Sequence, residues 1–454
     1  MSSTQYDAAV VGAGPAGATA AYLLARAGVR VVLLEKHRFP RDKVCGDAWC
    51  APALDLLEEM GVLQQLEAEG LVRDTTSGGF VSPSGESYVA AGSGGGAPGT
   101  RCYAIKRKIC DERIARRAAE AGAELIEGAP VAGAEIERDG LWTVRTKDDR
   151  RVRARMLVAA DGAASRLARS LGVVDTPASG VASRQYVRGG THNFASGGVL
   201  LYPSYILPGY VALFRHYDDD IDLGSYAIPG GAVDPSRLKR LHAQVIASDP
   251  YVRCVLGNRA EFLEPVRTAP LRLGGVQRSS ARQFMAVGDA AGQTDPLTGE
   301  GIHTGMIGGR IAAETIVELL EEGDLSAGAC RRYHERWMKA FGRDFASSAL
   351  AARFVYRFPA LLDAAAAVAQ KKGDDFMAEF GAAMTGVKPK TTFARPSVAL
   401  PLAAEIVRQV AARGLGRAFG AAGRRWAELE YRRRAELPDE RPTSFARGCV
   451  AKGG

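Results

Sequence analysis

The chain has 454 residues, 46% of them hydrophobic, and carries a formal net charge of +8. That length supports two or three domains, each with its own core. Seven scattered cysteines, without CxxC pairs or a histidine-rich partner set, argue against a disulfide framework or a zinc site, so no metal is expected and a reducing cytoplasm is the expected setting. The N-terminus runs straight into a strand pattern without a basic and apolar leader. The longest apolar stretch, near Phe358 to Ala369, is cut by Asp363, too short to span a bilayer.

In chain order, an apolar run from Ala8 to Val11 leads into Gly12-Ala-Gly14-Pro-Ala-Gly17, then a helical pattern, then a β-branched run from Val29 to Leu34 that ends in Glu35. This is a βαβ unit for a dinucleotide. Gly12 makes the tight turn, Gly14 admits a pyrophosphate to the helix N-terminus, Gly17 lets helix and strand approach, and Glu35 can accept from ribose hydroxyls. Gly94 to Gly99 also fits GxGxxG, but no buried strand precedes it and no helix follows, so it reads as a loop.

An amphipathic helix is expected over 52–69, strands of a second domain in SGGFVSPSGESYVAA, and a helix returning within 100–122. Residues 131–161 read as hairpins turning at Asp139-Gly140, 176–268 as mostly strands with a helix near 235–247, and everything after Leu325 as helical. The expected organisation is a discontinuous Rossmann-like α/β domain (1–72, 100–175 and 268–325), a β-sheet, α+β-type substrate domain (73–99 and 176–267) and a C-terminal helical region (326–454).

A second segment, FMAVGDAAGQTDPLTGEGIHTGMIGGRIAAE, decides which dinucleotide binds. A short strand from Phe284 ends in Gly288-Asp289, and Gly299-Glu-Gly301-Ile302 opens a long helix. An aspartate at a strand end can hold sugar-like hydroxyls, and a helix N-terminus suits the negative charge of a reduced isoalloxazine. The two segments together indicate FAD.

The order of GAGPAG, the acid after the second strand, PRDKVCGD, the strand-helix element carrying Arg107, ADGAASRLARSLG and GDAAGQTDPLTGEGI resembles the geranylgeranyl reductase family. These are FAD-dependent prenyl reductases sharing the aromatic-hydroxylase fold. The resemblance runs from about Tyr6 to Glu322, and PRDKVCGD is its most specific part. It implies that Ala16, Glu35, Cys45, Gly46, Ala48, Arg107, Val131, Asp289, Gly301 and Ile302 touch FAD. It also implies that Cys45 sits near the flavin ring, where a thiol can deliver a proton.

Over the substrate region the resemblance departs from the family pattern. The family's Pro-Gly-Tyr continues with Gly-Trp-aliphatic-Phe-Pro; here Pro208-Gly209-Tyr210 is followed by Val-Ala-Leu-Phe-Arg, so Phe214 stays while Ala212 and Arg215 replace tryptophan and proline. Trp49, Tyr210 and Phe214 are the expected pocket residues. The expected reaction is reduction of a carbon–carbon double bond in a prenyl chain or similar apolar substrate, with NAD(P)H or a reduced electron carrier as donor. The alternative is a monooxygenase acting on an aromatic or polycyclic compound. The halogenase signature is absent: no lysine lies between Lys43 and Lys106, and no Trp-x-Trp-x-Ile-Pro stretch occurs. Late arginines (Arg408, Arg413, Arg417, Arg424, Arg425, Arg432, Arg433, Arg434), interleaved with Leu402, Ile406, Val410, Leu415, Phe419 and Trp426, read either as a solvated face or as a peripheral contact with an anionic bilayer. Nothing resembles a nucleic-acid recognition fold.

Overall fold

The computed structural model describes residues 5–76, 78–89, 101–174, 177–190, 198–228 and 238–436. The Gly94–Gly99 loop lies outside them, as do the first residues of the helix expected near 235.

Parallel strands build the first sheet. Gln5–Val11 is central, flanked by Arg151–Ala159 on one side and Val31–Leu34 on the other; Phe284–Ala286 and Glu124–Ile126 extend the two wings. All four residues of Val31–Leu34 are buried, as expected of a strand covered on both faces. The expected hairpins form the antiparallel strands Val131–Ile136 and Trp142–Thr146, with Gly140 at φ +79° in the turn, pairing onto Arg151–Ala159. One face of the sheet packs on the helices Pro15–Arg26, Arg107–Glu120 and Ile302–Glu322. Helix on helix is close here: a Cβ on Gly309 would stand 2.3 Å from the Ala16 carbonyl oxygen.

The helix expected over 52–69 is two helices, Ala51–Glu59 and Val62–Ala68, because Gly61 between them takes φ +72° and ends the first.

A second, mostly antiparallel sheet runs Glu261–Phe262, Gly180–Arg188, Ile221–Ala227, Gly209–Arg215, Gly198–Leu201, Gly79–Val81, Ser87–Val89. Arg267–Leu271 also pairs with Gly180–Arg188, so the second sheet continues past the boundary expected at 267. Period-two alternation sorts its side chains. Val199, Leu201, Val211, Leu213 and Leu223 face a core shared with the helices Leu238–Ser248 and Pro250–Leu256 and with Tyr431 from the C-terminal helix. Leu200, Tyr210, Ala212, Phe214, Gly224 and Tyr226 face a cavity instead. A small third sheet joins Ala48–Cys50, Cys102–Ala104 and Arg73–Asp74, tying the PRDKVCGD loop to the start of the Arg107 helix.

From Ala327 to Glu436 the described chain is almost wholly helical. Pro359–Lys372 and Asp374–Met384 pack Leu362, Phe376 and Phe380 against Phe80 and Tyr202 of the second-sheet region. Among the described residues no helix is long and apolar enough to cross a membrane.

Candidate flavin site and adjoining cavity

The Gly12–Gly17 turn shows why its glycines are glycines. Gly12 sits at φ +106°, and a Cβ there would lie 2.2 Å from the Ala160 carbonyl oxygen; one on Gly17 would lie 2.0 Å from the Gly12 carbonyl oxygen. Gly14 differs, because a Cβ would meet nothing within 4 Å. Its missing side chain leaves open space in front of the Pro15–Arg26 helix N-terminus, where a pyrophosphate would approach.

Glu35 is buried at the end of the second strand. Its carboxylate accepts from Ala13 N and His37 N, both at 3.1 Å, which fixes its orientation and leaves lone pairs free for ribose hydroxyls. Arg41 bridges it to the helix behind: its guanidinium donates to Asp111 at 2.6 Å and to the Ala13 carbonyl at 3.0 Å, and lies 3.4 Å from Glu35. Asp111 in turn receives Arg107 through two bonds of 2.6 and 2.8 Å. Lys43 pairs with Asp289 at 3.0 Å, and Thr294 donates to the other Asp289 oxygen at 2.9 Å. Burial raises the Asp289 carboxyl, but Lys43 and these hydrogen bonds win and hold it below the ordinary value.

Cys45 stands beside the buried Arg107. Burial pushes its thiol up and Arg107 pulls it down, with burial the larger effect, so the proton stays on sulfur. Next to it Asp47 takes φ +56° and is fully buried, and its carboxyl, receiving the Tyr186 hydroxyl, is pushed up to about 7 by burial. Gly301 precedes the Ile302–Glu322 helix without any side-chain cap, leaving the first N–H groups unclaimed; a Cβ on it would press on Thr294 Oγ1 at 2.7 Å.

Gly14, Ala16, Gly17, Cys45, Gly46, Ala48, Arg107, Asp289, Gly301 and Ile302 all line one cavity of about 620 Å³. Gly12 and Glu35 stand just behind its wall. Val131 does not line it: it begins the strand Val131–Ile136 and pairs with Thr146. Tyr210 and Phe214 line the cavity as expected, but Trp49 does not. It is fully buried in the core of the first domain and donates from Nε1 to the Ile105 carbonyl at 2.9 Å. In an extended strand neighbours point oppositely, so Ala48 and Cys50 face the cavity and Trp49 cannot.

The cavity continues past the Cys45–Ala48 loop into an aromatic chamber that includes Phe80, Tyr202, Tyr210, Tyr226 and Phe380. Tyr210 stands 5.7 Å from Tyr202 and 5.2 Å from Tyr226, ring centre to ring centre. Ala212 leaves room where the family carries an indole, and Arg215 turns away to Asp219 at 2.7 Å. The far wall, from helix Asp374–Met384, went unread in the sequence, as did Glu300, which burial holds well above the ordinary carboxylate range. Behind Gly46, the buried Asp47, His216 and Asp222 each place one potential ligand atom within 4.8 Å of the others, and burial pushes the His216 imidazole down to about 3, so it is neutral.

The cradle of Gly14, the uncapped helix at Gly301 and the strand-end acids suit a long dinucleotide bearing a ring that can take negative charge, and FAD fits them. Residues 5–186 match the family model described as FAD binding domain, and residues 110–315 the one described as FAD dependent oxidoreductase. The chain is 43% identical to conditioned medium factor receptor 1 of Dictyostelium discoideum over 88% of this chain and 81% of that one. It is 34% identical to digeranylgeranylglycerophospholipid reductase 1 of Methanopyrus kandleri, over 75% and 88%. A geranylgeranyl bacteriochlorophyll reductase-like protein from Thermoplasma acidophilum superposes with a TM-score of 0.72 at 22% identity, covering 90% of this chain and 98% of that one. With the glycine cradle, the buried strand-end acid and the relatives in agreement, the chain is an FAD-dependent oxidoreductase of the geranylgeranyl reductase family.

Proposed function

We propose that this enzyme saturates a carbon–carbon double bond in a prenyl chain or a similarly long apolar substrate. The observation that carries this reading is the cavity: Cys45, Gly46 and Gly301 line the same continuous space as the aromatic side chains Tyr202, Tyr210, Phe214 and Phe380. Such an aromatic lining gives an extended apolar chain favourable burial, roughly 25 cal/mol for each Å² of apolar surface removed from water. The name of the M. kandleri relative, a reductase of a digeranylgeranyl lipid, supports the same class.

In this reading Gly12, Gly14 and Gly17 would admit the dinucleotide, Glu35 would hold the adenosine ribose, and the N–H groups following Gly301 would offset negative charge on the ring. FAD, reduced by NAD(P)H or a reduced electron carrier, supplies the hydride. The Cys45 thiol, raised by burial beside Arg107 and so protonated at neutral pH, is the proton donor to the second carbon in this reading. Phe214 packs beside the loop: a Cβ added to Gly46 would sit 3.7 Å from its ring. Membrane contact belongs to the same reading, because a prenyl lipid must leave a bilayer. Leu400, Val407, Leu415 and Leu429 on the C-terminal helices are 67% to 70% exposed, and Arg417 and Arg425 are exposed nearby.

The test is to photoreduce the enzyme and follow reoxidation anaerobically with geranylgeranyl-bearing and menaquinone-type acceptors, and separately with dioxygen. Fast reoxidation by a prenyl acceptor, with a saturated product, is the expected result. Reoxidation by dioxygen alone, coupled to a hydroxylated product, refutes it.

A further inference from the structure

Two thiols in the cavity wall have no part in that chemistry. Cys50 and Cys102 are register partners on the antiparallel strands Ala48–Cys50 and Cys102–Ala104. The ladder tells which kind of pair they form. Ile105 N donates to the Asp47 carbonyl at 3.0 Å, so 47 and 105 are a hydrogen-bonded pair, and alternation along the ladder makes 50 and 102 a non-hydrogen-bonded one. Consistently, the backbone of Cys102 is engaged on its other side: its N–H donates to Thr76 Oγ1 at 3.1 Å and its carbonyl accepts from Thr75 N at 2.8 Å. Opposed residues at such positions have Cα atoms about 4.5 Å apart, within the span a disulfide accepts.

Both cysteines are free, both line the cavity, and their side chains stand opposite each other on the same face of the ladder. Cys50 Sγ also lies 3.6 Å from Glu300 Oε2. We propose that Cys50 and Cys102 form an oxidisable dithiol that closes to a cross-strand disulfide when hydrogen peroxide enters the cavity. Peroxide is what a flavoenzyme releases when dioxygen takes up the two electrons meant for substrate, so the oxidant arises beside the pair.

Opposite Cys50 the Cys102 thiol is pulled below its ordinary value, and Cys102 reacts first. Its sulfur attacks one peroxide oxygen, the O–O bond breaks, and the departing hydroxide takes up a proton as water, leaving a sulfenic acid. The Cys50 sulfur then attacks the sulfenic sulfur; the S–O bond breaks, and the hydroxide leaves with the Cys50 proton as the second water. Two thiols and one peroxide thus give one disulfide and two waters, the sulfurs losing the two electrons that peroxide gains. The new bond removes the Cys50 thiol from Glu300 and cross-links the strand that follows Cys45 to the strand that precedes Arg107.

The experiment treats the FAD-loaded protein with a few equivalents of hydrogen peroxide, alkylates remaining thiols in denaturant, and digests with trypsin without reductant. The expected product is peptide Val44–Arg73 linked to Cys102–Lys106, with fragmentation placing the bond on Cys50 and a dithiol reductant releasing it. C50S should abolish the link and leave Cys102 as sulfenic acid or higher oxides. Separate recovery of the two peptides, each alkylated or each over-oxidised, overturns the proposal, and so does a link through Cys45.

Discussion

Asp47 offers a direct test of the electrostatics around the flavin loop. It is fully buried, its carboxyl lies beside Asp42 and Asp222 as well as Arg184, Arg107, Tyr186 and His216, and its proton affinity is raised from 3.8 to about 7. Below pH 3.8 the folded and unfolded chains both hold the proton. Between 3.8 and about 7 the unfolded chain releases it while the native protein keeps it, so this residue's contribution to stability is lost as pH rises through that window. A change of that size corresponds to up to roughly 4 kcal/mol. Asp47→Asn removes this titration and keeps the local geometry: asparagine tolerates the left-handed backbone at φ +56°, and its side-chain oxygen still accepts from Tyr186. Urea unfolding of variant and parent, followed by tryptophan fluorescence from about pH 4 to 7.5, should show the variant gaining on the parent by up to that amount as pH rises. Taking the difference cancels oppositely signed carboxylates that do not face Asp47, such as Asp289. A stability difference that stays flat across the range refutes the assignment.

Gly17→Ala drives a methyl to 2.0 Å from the Gly12 carbonyl oxygen and should abolish FAD copurification, whereas Gly14→Ala, entering open space, should leave the apoprotein's melting temperature unchanged and weaken FAD in equilibrium titration. Equal FAD affinity for Gly14→Ala and parent would show that the pyrophosphate lies elsewhere. Cys45→Ser should keep the FAD spectrum but slow acceptor-dependent reoxidation by about 10- to 100-fold in anaerobic stopped flow, equivalent to roughly 1.4 to 2.7 kcal/mol; an unchanged rate reduces Cys45 to packing. Cosedimentation with anionic vesicles should fall steeply between low and high salt, since surface attraction decays over about 8 Å at physiological ionic strength. Equal binding to neutral vesicles would return the C-terminal arginines to a solvated face. Several already pair within the protein, Arg408 with Glu405, Arg413 with Asp363 and Arg432 with Glu428.

What the sequence made legible was local. The turn at Gly12, the hairpin at Asp139-Gly140 and the helix opening after Gly301 each announce themselves within a few residues, because a positive φ, a tight crossing or an uncapped N-terminus restricts which side chain can stand there. The break at Gly61 was equally local and was passed over, since the apolar period runs on through it. Trp49 is expected in the pocket from its place just after the PRDKVCGD loop, yet its direction follows from strand alternation and from the Ile105 carbonyl, 56 residues away, that takes its N–H. Phe380 and Glu300 had no local signal: one is an ordinary helical aromatic and the other an acid in a glycine-rich turn, and each becomes part of the site only when distant segments fold together.

The two ends of the cavity come from different parts of the chain and differ in how freely they can vary. The residues around the cofactor loops are constrained by backbone crowding: at Gly12 or Gly17 even one added carbon collides with main chain. The remote end is made of side chains from the Tyr202–Tyr226 strands and from the Asp374–Met384 helix, where Met377 and Phe380 line the same cavity as Ala212 and Leu200, apart from Gly12 and Gly17. Side-chain changes can therefore lengthen, shorten or reshape the aromatic chamber in small steps while the glycine-crowded end stays fixed.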